Sequence, residues 1–303
     1  MRSFVSSKII LLFIDGVGIG PDDPAINPCS NSLTGIFHVN QALPDSGHKY
    51  PLDAQMGIPG LPQSATGQTT IYTGINAPKK LGKHLTGIPN RELRELLRKF
   101  SIFVILKNEG FKCKFMNAFR PIFFTTPEIF SNLHMSATTE MNRYAGNEFS
   151  NINDIRHGKA LYHDYSNEEI RSKGFDVPHF SADKAAEILV CESQYYDLIL
   201  YEYFLTDFAG HAQNPIRSLE EIRKVEDLIM AILKHINLQE TLLIVISDHG
   251  NIEDIRTKSH TMNPAFLGIW DKTAPEADID FSTLQDIFPF IYHKITGRLP
   301  DHR

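Results

Sequence analysis

The stretch from Thr241 to Asn251 reads T-L-L-I-V-I-S-D-H-G-N and restricts the fold more than any other part of the chain. Leu242 to Ser247 are apolar or small with no alternation, the pattern of a strand buried on both faces of a parallel sheet. The run ends in Asp248 and His249 and breaks at Gly250. In open α/β sheets, ligands bind outside the carboxyl ends of the strands, so two metal-competent side chains are delivered to a functional edge. The plainer reading is a turn in which Asp248 bonds the backbone near Gly250. What favours a site is the repetition of the pattern. Lys8 to Ile14 is a second continuous apolar run, and it ends at Asp15. Gly16, Gly18 and Gly20 follow, but Pro21 and Pro24 oppose the helix that a dinucleotide fingerprint needs there.

Between and beyond these runs, strand and helix signals alternate. Residues 21–60 read mostly as loop, with one short helix near Ser32 to Val39. Ser64 is placed to cap two helical turns from Ala65 to Thr73, closed by Gly74. An anion is favoured at such a helix start, although plain capping is the commoner role of such a serine. Asn90 caps a helix with Leu93, Leu96, Leu97 and Phe100 on one face, Ile102 to Lys107 continues as a second helix, and Lys112 to Met116 reads as a strand. Ser181 caps a helix through Val190, and Asp197 to Phe204 is the next strand. Behind it, Asp207 and His211 share a face of any helical turn that forms. Ser218 and Glu221 suggest a capping box for a helix carrying Ile222, Val225, Ile229, Ile232 and Ile236 in one stripe. Ala265 to Trp270 is the last core strand, and a helix over 284–294 closes the chain. This rhythm predicts an α/β fold of three layers around a doubly wound, mostly parallel sheet. From Asn117 to Phe180 the rhythm fails and the charges nearly cancel. Residues 1–116 and 181–303 are therefore expected to form the core, with 117–180 as an inserted cap.

Composition narrows the function. The 303 residues are 42% hydrophobic, enough for one sizeable core with an insertion. A net charge of −6 and a pI near 6.1 argue against nucleic acid or a membrane surface as partner. Cys29, Cys113 and Cys191 lie far apart without a C-x-x-C, which suggests neither disulfides nor a thiolate metal site. The amino-terminal apolar run has no small-residue cleavage site, and no stretch approaches the roughly 20 apolar residues that span a bilayer. A cytoplasmic protein is expected.

Asp15, Asp207 and Asp248 all follow strands, His211, His249 and His260 lie close behind such strands, and Ser64 stands at a helix start. Carboxylate and imidazole ligands suit Zn²⁺ or Mn²⁺, and these seven residues are enough for two divalent ions per chain. Two ions about 4 Å apart can clamp the attacking and leaving oxygens of a phosphoryl transfer. Coordination would also activate the Ser64 hydroxyl, otherwise a poor nucleophile.

These residues resemble the alkaline phosphatase superfamily of metalloenzymes, in wording nearest to cofactor-independent phosphoglycerate mutases and phosphopentomutases. The resemblance rests on Asp15 after the first strand, Gln63 to Gly74, Asp207-x-x-x-His211, Asp248-His249-Gly250-Asn251 and His260-Thr261-x-Asn263-Pro264. It implies that Ser64, rather than Thr66 or Thr69, is the nucleophile. It also implies one ion on Asp15, Ser64, Asp248 and His249, and the other on Asp207, His211 and His260. The mutases carry a histidine four residues after their serine, where this chain has Gln68, and a large arginine-bearing insertion where this chain has a short cap. Sulfatases carry C/S-x-P-x-R, against Thr66 and Gln68 here. Gln63, Lys83, His84, Arg120 and Asn251 are candidates to bind substrate, each with an ordinary surface or turn role as its alternative. The expected activity is a phosphomonoesterase working through a phosphoserine on a small phosphorylated metabolite. Its rivals are a phosphomutase, a phosphodiesterase and a non-catalytic metal-containing binding module.

Overall fold

The computed structural model describes residues 7–125, 135–273 and 280–300. Its strands are β1 (Lys8–Ile14), β2 (His48–Leu52), β3 (Cys113–Phe115), β4 (Ala118–Phe119), β5 (Ser150–Asn151), β6 (Leu198–Tyr203), β7 (Thr241–Ile246) and β8 (Ala265–Trp270). Six of them form one sheet in the order β2-β8-β7-β1-β6-β3, and β4 pairs with β5 in a small parallel ladder apart from it. The centre is parallel: β1 pairs with β6 from Ile9↔Leu198 to Ile14↔Tyr203, and with β7 from Lys8↔Thr241 to Phe13↔Ile246. Both faces of these strands are covered, as their unbroken apolar runs require. Ile10, Leu12 and Ile14 of β1 point into one hydrophobic cluster, Ile9, Leu11 and Phe13 into the other.

The helices used below are α1 (Ser64–Thr73), α2 (Arg91–Phe100), α3 (Ile102–Asn108), α4 (Ala137–Tyr144), α5 (Ala182–Ser193), α6 (Leu205–Ala212), α7 (Pro215–His235) and α8 (Ile287–Thr296). α5 and α7 cover the first face through Ala185, Ile188, Ile222, Val225, Ile229 and Ile232. α1, α3, α4 and α8 cover the second through Ile71, Tyr72, Phe103, Met141 and Phe288. The result is the three-layer α/β arrangement expected from the strand rhythm.

Several local expectations are corrected. β8 runs antiparallel to β7, and the edge strand β2 runs antiparallel to β8. β2 was hidden within a stretch that reads as loop, because Pro51 and a polar composition obscure it; an edge strand tolerates both. Ser32 to Val39 forms turns after a short 3₁₀ segment at Pro28–Asn31, not a helix. α7 starts three residues before the Ser218 box. Asn214 caps it by accepting from Ile216 and Arg217 N–H at 3.1 Å each, and Pro215 supplies a pre-set first turn. Ser218 lies inside the helix and donates to the Ala209 carbonyl, while Glu221 accepts from the Tyr203 hydroxyl. The closing helix begins as a 3₁₀ turn at Leu284–Asp286 before α8.

In the 117–180 segment, residues 126–134 lie outside the described residues. The buried apolar side chains of the rest join the two clusters of the sheet: Leu161, Tyr165 and Ile170 on one side, Ala137 and Met141 on the other. The segment is thus packed onto the core at the carboxyl end of β6, beside the site described next.

Two-sided burial of the central strands carries a direct expectation. Leu11→Ala, at a fully buried position of β1, should lower unfolding free energy by about 2–5 kcal/mol. Leu33→Ala, at a side chain 83% exposed, should stay within about 0.5 kcal/mol. Urea denaturation of both variants reads the difference, and equal midpoints would contradict the layer assignment.

Candidate metal-binding active site

Strand order explains why the acidic residues meet. β7, β1 and β6 are neighbours, so their carboxyl ends bring Asp248, Asp15 and the β6–α6 junction side by side. Asp207 and His211 sit one turn apart on α6, with Asp207 Oδ2 3.1 Å from His211 Nε2. The antiparallel sense of β8 returns the chain to this same edge, which puts His260 there too. Bridges between Gly250 and Thr261, and between Gly18 and Ala265, lock that return loop in place.

The three histidines share one orientation. Nδ1 of His211, His249 and His260 faces the backbone carbonyls of Lys258 (2.6 Å), Gly250 (3.3 Å) and Pro62 (2.8 Å). A carbonyl only accepts, so each Nδ1 carries a proton, which leaves Nε2 as the ring atom able to ligate. Those Nε2 atoms converge on carboxylates: His249 lies 3.3 Å from Asp15 Oδ1 and 3.6 Å from Asp248 Oδ2, and His260 lies 3.6 Å from Asp207 Oδ1. The His249 and His260 rings stack at 3.7 Å. Burial, then the neighbouring His260, holds the His249 imidazole well below its ordinary pKa; burial likewise lowers His260. Neutral imidazoles tied at Nδ1 are what a metal site needs.

The carboxylates tell the same story from the other side. Asp15 Oδ1 is buried without a hydrogen-bond partner. Burial, followed by the charges of Asp248 and Asp207, pushes the Asp15 carboxyl well above the usual carboxylate range. Burial and then Asp207 push Asp248 up to about 8. Crowded acids of this kind are stable as carboxylates only beside cations. Ligand atoms of Asp207, His211 and His260 all lie within 4.8 Å of one another, and so do those of Asp15, Asp207 and His249. Both groups share Asp207, and both consist of donors that suit a divalent ion.

Ser64 is not the cap of α1. Gln63 occupies that position without a side-chain hydrogen bond, and Ser64 is the first helical residue. Freed from capping, its Oγ lies 3.0 Å from His249 Nε2. Gln68, one turn on, sends its amide to Asp15 Oδ2 (3.4 Å) and Asp248 Oδ2 (3.3 Å). Gly67 permits this approach, since a Cβ there would stand 3.0 Å from both Cβ and the carbonyl oxygen of Asp248. Gly16 has φ +70°, and a Cβ on it would stand 2.6 Å from Asp207 Oδ1.

The other expected residues divide. Arg120 lines a cleft of about 640 Å³ that opens onto Ser64, Asp15 and Asp207. Lys83 and His84 are not among its lining residues: Lys83 is exposed elsewhere, and His84 Nε2 bonds the Ile58 carbonyl at 3.1 Å. Asn251 is fully buried and donates to Asp207 Oδ1 at 2.6 Å, orienting that carboxylate from behind. Gln63 holds the start of α1 through its carbonyl, which accepts from Gly67 N–H at 2.8 Å. Sequence reasoning missed two residues. Fully buried Glu253 accepts from the N–H groups of Gly18 (2.9 Å) and Asn251 (2.8 Å), from Asn263 Nδ2 (3.0 Å) and from the Thr261 hydroxyl, tying three site loops together. Glu202, at the floor of the cleft, accepts from the Thr138 hydroxyl at 3.1 Å, and burial pushes it up to about 7. An acid inside a buried strand was the available signal for Glu202; for Glu253 there was none.

A family model described as the metalloenzyme superfamily matches residues 7–296. The chain belongs to that superfamily. Within it, the alkaline-phosphatase type expected from the motifs is supported on two sides. Stretches of the chain are similar to 2,3-bisphosphoglycerate-independent phosphoglycerate mutases. That of Mycoplasma mobile is 28% identical over 140 residues, 42% of this chain and 27% of the relative. That of Thermococcus gammatolerans is 35% identical over 86 residues, 28% of this chain and 20% of the relative. The chain thus spans about a quarter of the length of these curated relatives. Among solved structures, the alkaline phosphatase of the Antarctic bacterium TAB5 superposes with a TM-score of 0.56 at 14% identity, covering 97% of this chain and 99% of that one. The phosphoglycerate mutase of Leishmania mexicana gives 0.59 at 8% identity, covering 99% and 97%. At such identities the likeness is one of fold.

Two outcomes follow for this metalloenzyme. Asp15 and Asp248 bind protons more readily when folded than unfolded, so in chelator-treated protein their contribution to stability falls as pH rises from the ordinary carboxylate range towards about 8. A divalent ion replaces those protons. The gain in melting temperature on adding Mn²⁺ or Zn²⁺ should therefore grow across that window; a gain independent of pH would refute the carboxylate ligands. Separately, Glu253→Ala leaves three buried donors and the half-buried Asn263 amide unpaired, at about 1–3 kcal/mol for each buried unsatisfied group. Both melting temperature and bound metal should drop, by thermal scan and elemental analysis.

Proposed function

We propose that the protein is a two-metal phosphoryl hydrolase in which Ser64 attacks the phosphorus of a small phosphate monoester. The observation that carries this reading is the placement of the Ser64 hydroxyl. It is uncapped at the start of α1, 3.0 Å from the bare Nε2 of His249, and open to the cleft. Divalent ions held by Asp15, Ser64, Asp248 and His249, and by Asp207, His211 and His260, would supply positive charge to ionise the hydroxyl and to steady the phosphoryl oxygens. Zn²⁺ and Mn²⁺ both suit these donors.

The chain's own groups do the rest. The amino-terminal end of α1 favours the phosphoryl anion by its dipole, and the Gln68 amide keeps Asp15 and Asp248 aimed at the site. Ser64 Oγ forms the bond to phosphorus as the ester oxygen leaves, taking a proton from solvent. Water then attacks the phosphoserine, its oxygen enters the released phosphate, and Ser64 is restored. Gln68 cannot accept or release a proton near neutrality, so it acts as a positioning residue.

A mutase that returns the phosphoryl group to the same substrate is the second reading, favoured by the curated relatives. Hydrolysis is supported by the cleft. A mutase must keep its dephosphorylated intermediate from water and grip both ends of an anionic substrate. Here Glu169 ties up both Lys173 and His163, so among the described residues Arg120 is the one cation of the lining outside an ion pair. The three cysteines are free, which supports a reducing compartment such as the cytoplasm, and no described helix is long and apolar enough to cross a membrane.

Ser64→Ala should reduce turnover by several orders of magnitude while most bound metal remains, because six ligands are left. Thr66→Ala should be far milder, since Thr66 Oγ1 serves the backbone, donating to the Gln63 carbonyl at 3.0 Å and accepting from Leu85 N–H at 3.3 Å. The reverse ranking would move the nucleophile. In ¹⁸O-labelled water, phosphate released from a monoester should carry the label; conversion of 3-phosphoglycerate to 2-phosphoglycerate without free phosphate would establish the mutase instead.

A further inference from the structure

The cleft above Ser64 combines the polar groups of the site with aromatic side chains, and Arg120, His163, Glu169 and Lys173 also line it. Its floor is made of Ser64, Asp15, Asp207 and Glu202. One wall is an aromatic block: Phe119 stacks on Phe123 at 4.1 Å, and Phe149 supports both edge-on at 5.3 and 5.1 Å. Another is Phe204, in edge contact with Phe208 at 5.3 Å and against the His163 ring at 4.8 Å. At the mouth, Ile122, Phe208 and Ile88 stand 57%, 54% and 40% exposed, each from a different segment of the chain. Scattered exposed apolar residues are ordinary, but these three line one cleft together with the reacting centre.

The charges of the lining point the same way. Lys173 and His163 are both paired with Glu169, which leaves Arg120 among the described lining residues. A substrate bearing a second anionic group would have Arg120 alone to meet it, among walls made largely of phenylalanines. A substrate with an apolar remainder would instead cover Ile122 and Phe208.

We propose that the ester recognised here joins its phosphoryl group to a hydrophobic alcohol, whose alkyl chain lies along Phe119, Phe123, Phe204 and Phe208 and leaves the cleft past Ile122. This rests on the phosphoryl-transfer reading above for the position of the phosphoryl group over Ser64. It replaces a small polar metabolite with an amphiphilic monoester as the substrate class.

The test separates binding from turnover. Calorimetric titration of the metal-loaded protein with methyl-, butyl- and hexylphosphonate, which contain no ester bond to cleave, should show affinity rising about threefold to fourfold per buried methylene. Phe208→Ser and Ile122→Ser should flatten that dependence, and 3-phosphoglycerate should bind more weakly than hexylphosphonate. Affinity independent of chain length, or tighter binding of 3-phosphoglycerate, overturns the inference. Steady-state kinetics on the matching alkyl phosphates then reads the other half. Chain-length-dependent binding without any ester hydrolysis upholds the apolar cleft and sinks the hydrolase reading. Hydrolysis accompanied by flat binding does the reverse.

Discussion

The mutual repulsion of Asp15, Asp207 and Asp248 is the constraint around which the rest of the structure is arranged. The three carboxylates meet at one sheet edge, largely removed from water, where burial and mutual repulsion push Asp15 and Asp248 towards their protonated forms. The surroundings are built to supply what a cation needs. Three imidazoles are fixed by backbone carbonyls in the tautomer that offers Nε2. Asn251 and Gln68 fill remaining acceptor positions with neutral donors, so they orient the acids without cancelling the charge that would attract an ion. A lysine at either place would neutralise the site and remove its reason to bind metal.

Holding such a cluster requires the loops to be rigid, and one buried side chain does most of this. Glu253 lies behind the site and gathers donors from the Gly18, Asn251 and Thr261–Asn263 segments. Its own charge is satisfied by those donors, so it adds order without needing a metal. The close approach at Gly67 completes the frame by letting α1 rest against Asp248, which brings Ser64 within hydrogen-bond reach of His249.

Much of this was legible in the sequence, for definable reasons. Continuous apolar runs ending in aspartate mark central parallel strands and the functional edge at once, so β1, β6, β7 and the three acids could be placed from pattern alone. The i,i+4 spacing of Asp207 and His211 is a helix property and appeared as one. What failed depends on tertiary context. The reversal of β8 could be read only from an indirect sign: residues 247–264 carry no crossover helix, and a parallel return needs one. β2 has no periodicity of its own and exists because β8 offers it an edge. Ser64 looks like a cap by residue type, yet Gln63 takes the extended conformation at that place and leaves the hydroxyl for the site. Lys83 and His84 matched a substrate role by chemistry alone, and nothing local in the chain reports which loop side chains face a cleft.

Two properties of the site come from different parts of the chain, and they need not serve the same ends. The metal-ligand frame is supplied by the ends of β1, β6 and β7 and the loop before β8, all within the region that matches the metalloenzyme superfamily. The walls of the cleft come largely from β3, β4, the 117–180 segment and the start of α6, whose apolar side chains are shared with the packing of the core. Because Phe115 and Phe119 both pack with the core and line the cleft, their replacement by polar side chains would cost core packing as well as change the walls. The ligand frame and the walls can therefore vary separately, and in this chain the packing of residues 117–180 sets phenylalanines and Arg120 beside the frame.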